Sequence, residues 1–295
     1  MAHSEKIVKK LKKYVYAKKL SPEKARENYE SFFTDKTLPN EVDLRVCTVA
    51  TQNVFIFKPV VTNTLNCVLY FSGGFFHFGS QKTYSSLCAS LSNVCQAQVF
   101  LPSIAYSSEK QFPFQLEQAF DVYNALVESL PAHTNFVFAG DGSGAGLALS
   151  LTLYLKEKQK PLPIGLALIS PFVDFQIKKQ KTRDTLLTSE LLQAYALAYI
   201  GEENPDNYLI SPLKADTAIF KTFPPLFIQA CRDELLFEQS VQLQDAVISG
   251  GGTCVLESFS DVWHFFQAYP DYCAQSHTAV EHFGKRILQF FSPPE

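Results

Sequence analysis

An α/β fold with a mostly parallel sheet is the architecture this sequence predicts, on three observations. From about residue 44, short apolar runs alternate with stretches of helical periodicity. Several of these runs are apolar throughout, as strands buried on both faces are. The length of 295 residues suits one large α/β domain, and the 46% hydrophobic content supports a sizeable core.

The chain opens with a basic helical segment. Residues 5–19 (EKIVKKLKKYVYAKK) place Ile7, Val8, Leu11, Tyr14 and Val15 on one helical face and lysines on the other. Ser21-Pro22 has the form of an N-cap followed by proline at the first helical position, so a second helix is expected to run to about Phe33. Residues 1–24 carry eight lysines (6, 9, 10, 12, 13, 18, 19, 24) against Glu5 and Glu23, a local charge of +6 within a chain of −3. The basic face is read as solvated lysines on a helical arm packed over the body. Peripheral contact with an anionic membrane is the alternative.

Strands are expected at Arg45–Ala50, Val54–Lys58, Cys67–Phe71, Gln98–Leu101, Asn135–Ala139, Ile164–Ile169, Leu226–Ala230 and Thr253–Glu257. Helices are expected near 81–95, 114–130, 144–158, 186–200, 238–249 and 277–291. This alternation places helices on both faces of the sheet. Residues 175–222 interrupt it with polar, basic and helical sequence, placed where a lid would fall. The expected organisation is an N-terminal arm over 1–43 and a main domain over 44–295 carrying that insertion.

A net charge of −3 gives no reason to expect nucleic acid as a partner. Seven scattered cysteines without a C-x-x-C read as reduced thiols in a cytoplasmic protein. The N-terminus has no apolar signal region, and no apolar run approaches the ~20 residues a membrane span needs. Cys273, His277 and Glu281 share a helical face, but without a distant fourth ligand a solvated face is the preferred reading, so neither metal nor cofactor is expected.

Four segments carry chemistry. The stretch FVFAGDGSGAGL, Phe136 to Leu147, reads as strand, tight turn and helix. That is the form of a nucleophile elbow, G-x-S-x-G, with Gly140 and Gly144 in place and Gly142 where the serine belongs. Glycine adopts the positive φ of such a turn without strain, so Gly142 keeps the turn and deletes the hydroxyl. A plain glycine-rich turn that binds an anion is the competing reading. Ser143 is a poor substitute, because a motif centred on it would need glycines where Asp141 and Ala145 stand. The second segment, FSGGFFHFGS, follows a strand, and its glycine pair could aim backbone N–H groups at an oxyanion. In the third, Asp233 falls just beyond a strand's C-terminal end, with Glu234 and Glu238 as competitors. In the fourth, His264 sits among aromatics in DVWHFFQ. Positions 142, 233 and 264 follow the chain order nucleophile, acid, base.

With these motifs in order, the sequence resembles the hormone-sensitive-lipase-like esterases, a branch of the α/β-hydrolases, from about Val68 to Phe266. Ser72-Gly73-Gly74-Phe75-Phe76 with Gly79-Ser80 is similar to that family's H-G-G-G-F-x-x-G-S. Glu109 to Ala119 resembles E-x-x-F-P-A-A-L-x-D-A, and Gly140 to Ala148 resembles G-D-S-[AS]-G-G-N-L-A. Ser170-Pro171 with Asp174, Ser211-Pro212-Leu213, PPLFIQACRDEL and His264-Phe265-Phe266 match further motifs. The resemblance implies an α/β-hydrolase fold with a helical cap built from the N-terminal helices and the 175–222 insertion. It implies an ester substrate, a triad at Gly142, Asp233 and His264, an oxyanion hole from the N–H groups of Gly73, Gly74 and Ser143, and a pocket at Phe75 and Phe76. The departures are Gly142 for serine, Ser72 for histidine, Phe75 for the third glycine, and IAYSS for Y-R-L-A-P. The function expected is therefore ester hydrolysis by Ser-His-Asp acyl transfer, in a form lacking the nucleophile. The alternative is a natural non-catalytic relative that binds an ester-like or lipid-like ligand. A homodimer is a further expectation.

Overall fold

The computed structural model describes all residues except 1, 18–19, 34–37, 39–40, 180–183 and 293–295. Eight strands form one sheet: β1 (Val42–Val49), β2 (Gln52–Pro59), β3 (Asn66–Phe71), β4 (Gln98–Pro102), β5 (Asn135–Asp141), β6 (Gly165–Ile169), β7 (Leu226–Cys231) and β8 (Cys254–Phe259). Their order is β1-β2-β4-β3-β5-β6-β7-β8. The β1–β2 and β2–β4 pairs are antiparallel, and the other pairs are parallel. Every residue of β3, β6 and β7 is buried, which is why these strands read as mostly apolar runs, with Asn66 and Gln229 the polar exceptions.

The helices of the body are α3 (Gln81–Cys95), α4 (Phe114–Ser129), α5 (Gly142–Glu157), α6 (Ser189–Ile200), α7 (Phe237–Ser249) and α8 (Ala274–Phe291). In α5 thirteen residues are buried, because its N-terminal half runs through the middle of the molecule. The segment between β6 and β7 carries α6 and two short 3-10 turns. Asp184 ties it to the loop after β7: its carboxylate accepts the N–H groups of Leu186, Leu187 and Leu235, each at 2.8 Å.

Ahead of the sheet stand α1 (Ala2–Tyr14) and α2 (Pro22–Glu30). Ser21 caps α2 by accepting the Lys24 N–H. The apolar face of α1 is spent on the protein itself, since Ile7, Leu11 and Val15 are all buried in the core. Lys6, Lys9, Lys10, Lys12 and Lys13 remain exposed, while Lys18 and Lys19 lie outside the described residues. Tyr29 of α2 packs on Phe78, with ring centroids 4.9 Å apart. Arg26 lies over the Tyr106 ring at 3.6 Å and donates from Nε to the His77 carbonyl. The arm is thereby fastened to the loop that follows β3.

Among the described residues no helix is long and apolar enough to cross a membrane, and no cluster of His, Cys, Asp and Glu could hold a metal ion. Glu281 is paired with Lys285 one helical turn on.

Candidate active site

β5 delivers the chain into α5 through Asp141 and Gly142. Gly142 has φ +49°, the left-handed conformation that an L side chain adopts only at a cost. The turn is pressed against the end of β3. A Cβ on Gly140 would lie 2.6 Å from the Phe71 carbonyl oxygen, and one on Gly144 would overlap that same oxygen. These contacts require the flanking glycines. Gly142 is different, because a Cβ there meets nothing nearer than His264 Nε2, at 3.6 Å. The elbow thus points at the histidine and carries no side chain toward it.

The structure brings His264 to the turn. The ring is 3% exposed, and its other nitrogen, Nδ1, lies 2.7 Å from Oε2 of Glu234. The expected partner, Asp233, does not make this contact. Glu234 is the residue that turns inward after β7, with Oε1 accepting the Cys231 N–H at 3.1 Å, while Asp233 is only half-buried. The chain bends by two residues between the strand end and the inward-facing position, and the longer glutamate side chain spans the remaining gap. Burial pushes the His264 pKa down, but the hydrogen bond and charge of Glu234, with Asp184 and Asp141 behind them, outweigh it and hold it above 6.5.

Asp141 organises the opposite wall. It is 1% exposed, and its carboxylate accepts hydrogen bonds from Tyr70 Oη at 3.0 Å, Tyr84 Oη at 2.9 Å and the Gly73 N–H at 3.0 Å. Burial pushes its pKa up to about 6 despite these donors. The Gly73 N–H, expected in the oxyanion hole, is therefore directed at Asp141, and it also reaches Tyr84 Oη at 2.9 Å. Ser143 is fully buried, and its hydroxyl accepts the Phe76 N–H at 3.2 Å. Its backbone N–H belongs to the first turn of α5, where no intrahelical acceptor exists. No hydrogen bond is made by the N–H groups of Gly74 and Phe75 among the described residues.

Gly74, Phe75 and Phe76 take φ values of +71°, +55° and +56° in succession. Two bulky residues in the left-handed region need surroundings that hold them there. The Ser107 N–H donates to the Phe76 carbonyl at 2.7 Å, and Ser107 Oγ lies 2.8 Å from Nδ1 of the buried His77. His77 Nδ1 is also 3.1 Å from the Phe75 carbonyl oxygen. Held this way, the Phe75 ring stacks on Tyr195 of α6 and on His264 itself, with centroids at 5.0 and 5.4 Å. Phe76 stacks on Tyr199 at 4.4 Å. Both phenylalanines are buried and fill the space expected of a pocket. Tyr195 and Tyr199 escaped the sequence reading, as did Glu234's role. A tyrosine pair spaced four apart on a helix has no distinctive signature.

A glycine-flanked elbow at the end of β5, facing a histidine after β8, on a mostly parallel eight-stranded sheet, defines the α/β-hydrolase class. A family model described as alpha/beta hydrolase fold matches residues 68–268, and the chain belongs to that family. It is 28% identical over 219 residues to an acetyl-hydrolase of Streptomyces hygroscopicus, covering 72% of each chain. It is also 28% identical over 208 residues to an esterase of Acinetobacter venetianus, covering 68% of each. Among solved structures it superposes on an esterase from the bacterial hormone-sensitive lipase family with a TM-score of 0.91, at 20% identity and over 99% of both chains. A hormone-sensitive lipase from a metagenome library gives a TM-score of 0.89 at 24% identity over 98% of both chains.

Proposed function

We propose that the chain is a carboxylic ester hydrolase scaffold in a form that lacks the nucleophile and does not turn over esters. The observation that carries this reading is the direction of the missing Gly142 side chain, whose Cβ would lie 3.6 Å from His264 Nε2. In acyl transfer a hydroxyl on that carbon gives its proton to Nε2 as it attacks the ester carbonyl. The acid at Nδ1, here Glu234 rather than the expected Asp233, holds the ring tautomer and stabilises the imidazolium. The Gly74, Phe75 and Ser143 N–H groups are the donors left to meet the oxyanion. With glycine at 142 no acyl-enzyme forms, and the loss is on the order of 10⁶-fold in kcat. The substrate class of the scaffold is a small ester. The free thiols, six of the seven buried, fit a cytoplasmic setting. Peripheral membrane contact would rest on the exposed lysines of α1 alone, and homodimer formation remains an expectation.

A second reading, a natural non-catalytic relative, is favoured by Phe75 stacked over His264 and by the Gly73 N–H directed at Asp141. Gly142→Ser and Gly142→Ser/Phe75→Gly, assayed on short aryl esters, separate the two. If only the nucleophile is missing, Gly142→Ser gains several orders of magnitude in turnover, and His264→Ala removes the gain. If the loop has also departed from catalysis, Gly142→Ser stays inert and only the double variant gains. Two folded, inert proteins would defeat the esterase reading.

A further inference from the structure

A polar cavity lies on the other side of the loop that carries Phe75. It has a volume of about 590 Å³ and is bounded by the start of α3, the end of β4, the 101–106 segment and α4. Neither Gly142 nor His264 lines it, whereas Ser72 and Gly79, the two ends of the loop, do. The volume falls in the range of small-molecule sites.

One end of this cavity offers hydrogen-bond donors. Gln81 and Lys82 are the first two residues of the fifteen-residue helix α3, so their N–H groups have no intrahelical acceptor and stand at the positive end of the helix dipole. The Lys82 ammonium is exposed at the same place and forms no ion pair among the described residues. Gln118 of α4 supplies an independent sign of a ligand. It is only 8% exposed, and its Oε1 accepts the Ala105 N–H at 2.9 Å. That bond fixes the amide orientation and leaves the Nε2 donor, on a residue that lines the cavity, without a hydrogen-bond partner among the described residues. Phe55, Leu101 and Tyr106 supply the apolar part of the wall, beside the polar side chains of Gln52, Ser80 and Ser103. Two carboxylates, Glu30 and Glu109, also line the cavity, and Glu109 lies 3.9 Å from Arg26. Carboxylates in the wall disfavour a dianion more than a monoanion.

We propose that this cavity binds a small organic monocarboxylate, its carboxylate received by the α3 N-terminus, Lys82 and Gln118 Nε2, and its apolar body laid against Phe55, Leu101 and Tyr106. The site is separate from the Gly142–His264 pair and independent of whether that pair ever catalyses.

Isothermal titration of the full chain with hexanoate tests this, with inorganic phosphate as the headgroup-only comparison. Hexanoate is expected to bind one to one. Lys82→Glu and Gln118→Leu should each weaken it by roughly tenfold or more, the size of one charge-assisted hydrogen bond. Lys82→Glu alters an exposed side chain and keeps the test valid if Gln118→Leu does not fold. His264→Ala should leave binding unchanged, and phosphate should bind at least about tenfold more weakly because it lacks the apolar body. Absence of saturable hexanoate binding up to about 10 mM, weaker than the affinity of a minimal site, would overturn the proposal. So would affinity untouched by Lys82→Glu, affinity lost in His264→Ala, or phosphate binding as tightly as hexanoate.

Discussion

The Phe75 ring lies over the His264 imidazole, with centroids 5.4 Å apart and planes inclined by 28°. A residue with φ +55°, at a position where glycine would be unstrained, thus covers the one basic group of the candidate site. Tyr195 stacks on its other neighbourhood at 5.0 Å, so the ring is held between the body and α6.

Replacing Phe75 by glycine should therefore uncover His264. Loss of a buried phenyl costs ~3–5 kcal/mol, and release of the left-handed backbone returns ~1–2 kcal/mol. A net destabilisation of about 2 kcal/mol in urea unfolding is expected from these two terms. Acylation of His264 by diethyl pyrocarbonate, followed by mass spectrometry, should be faster in Phe75→Gly than in the parent. Equal labelling rates would show that the phenyl ring does not guard the histidine.

The acid paired with His264 can be read from its titration. The imidazole should titrate above 6.5 in the parent, because Glu234 outweighs burial. Glu234→Gln should lower the value, because only the charges of Asp184 and Asp141 then oppose burial, whereas Asp233→Asn should leave it unchanged. Because the folded value is raised, the pair contributes stability that is complete below about 6.5 and is lost as pH rises through the folded value. Nuclear magnetic resonance of the ring protons makes the measurement, and a response to Asp233→Asn in place of Glu234→Gln would reverse the assignment.

Asp141 has a folded pKa of about 6 against an ordinary 3.8, burial being the main cause. The sign is that of a raised group: its favourable contribution is complete below 3.8 and is lost as pH rises through 6. Asp141→Asn carries no titrating proton. Urea unfolding should show the variant gaining on the parent between about pH 4 and pH 6.5, and the difference becoming constant above that. Parallel stability curves across this interval would contradict the buried carboxylate's role.

Two glycines of the site should respond unequally to alanine. At Gly73 the new methyl would overlap the Asp141 carboxylate, so Gly73→Ala must displace the loop and should cost several kcal/mol, about 3 or more by analogy with overpacked buried sites. At Gly142 the methyl has room, its nearest neighbour being His264 Nε2 at 3.6 Å, and only the left-handed backbone opposes it, at about 1–2 kcal/mol. Thermal unfolding of the pair checks the contrast. A Gly142→Ala protein as unstable as Gly73→Ala would mean the elbow lacks space for any side chain, serine included.

The sequence by itself determined the eight strands, the helices of the body and the elbow. Those features are local: mostly apolar runs mark β3, β6 and β7, and the glycines around 142 mark a turn pressed against the Phe71 carbonyl. It also put a glycine at position 142 of the elbow and singled out His264, which the structure places beside that position. Only the tertiary structure decided which acid reaches His264. Asp233 and Glu234 are adjacent, and the turn after β7 alone sets which of them points inward. Nor could the sequence show where the Gly73 N–H points, since that depends on a carboxylate 68 residues away. The position of the Phe75 ring was likewise decided in three dimensions, by a left-handed backbone secured through Ser107 and His77 and by an aromatic partner on α6. Side-chain direction in a loop follows from long-range contacts, and no periodicity in the chain encodes it.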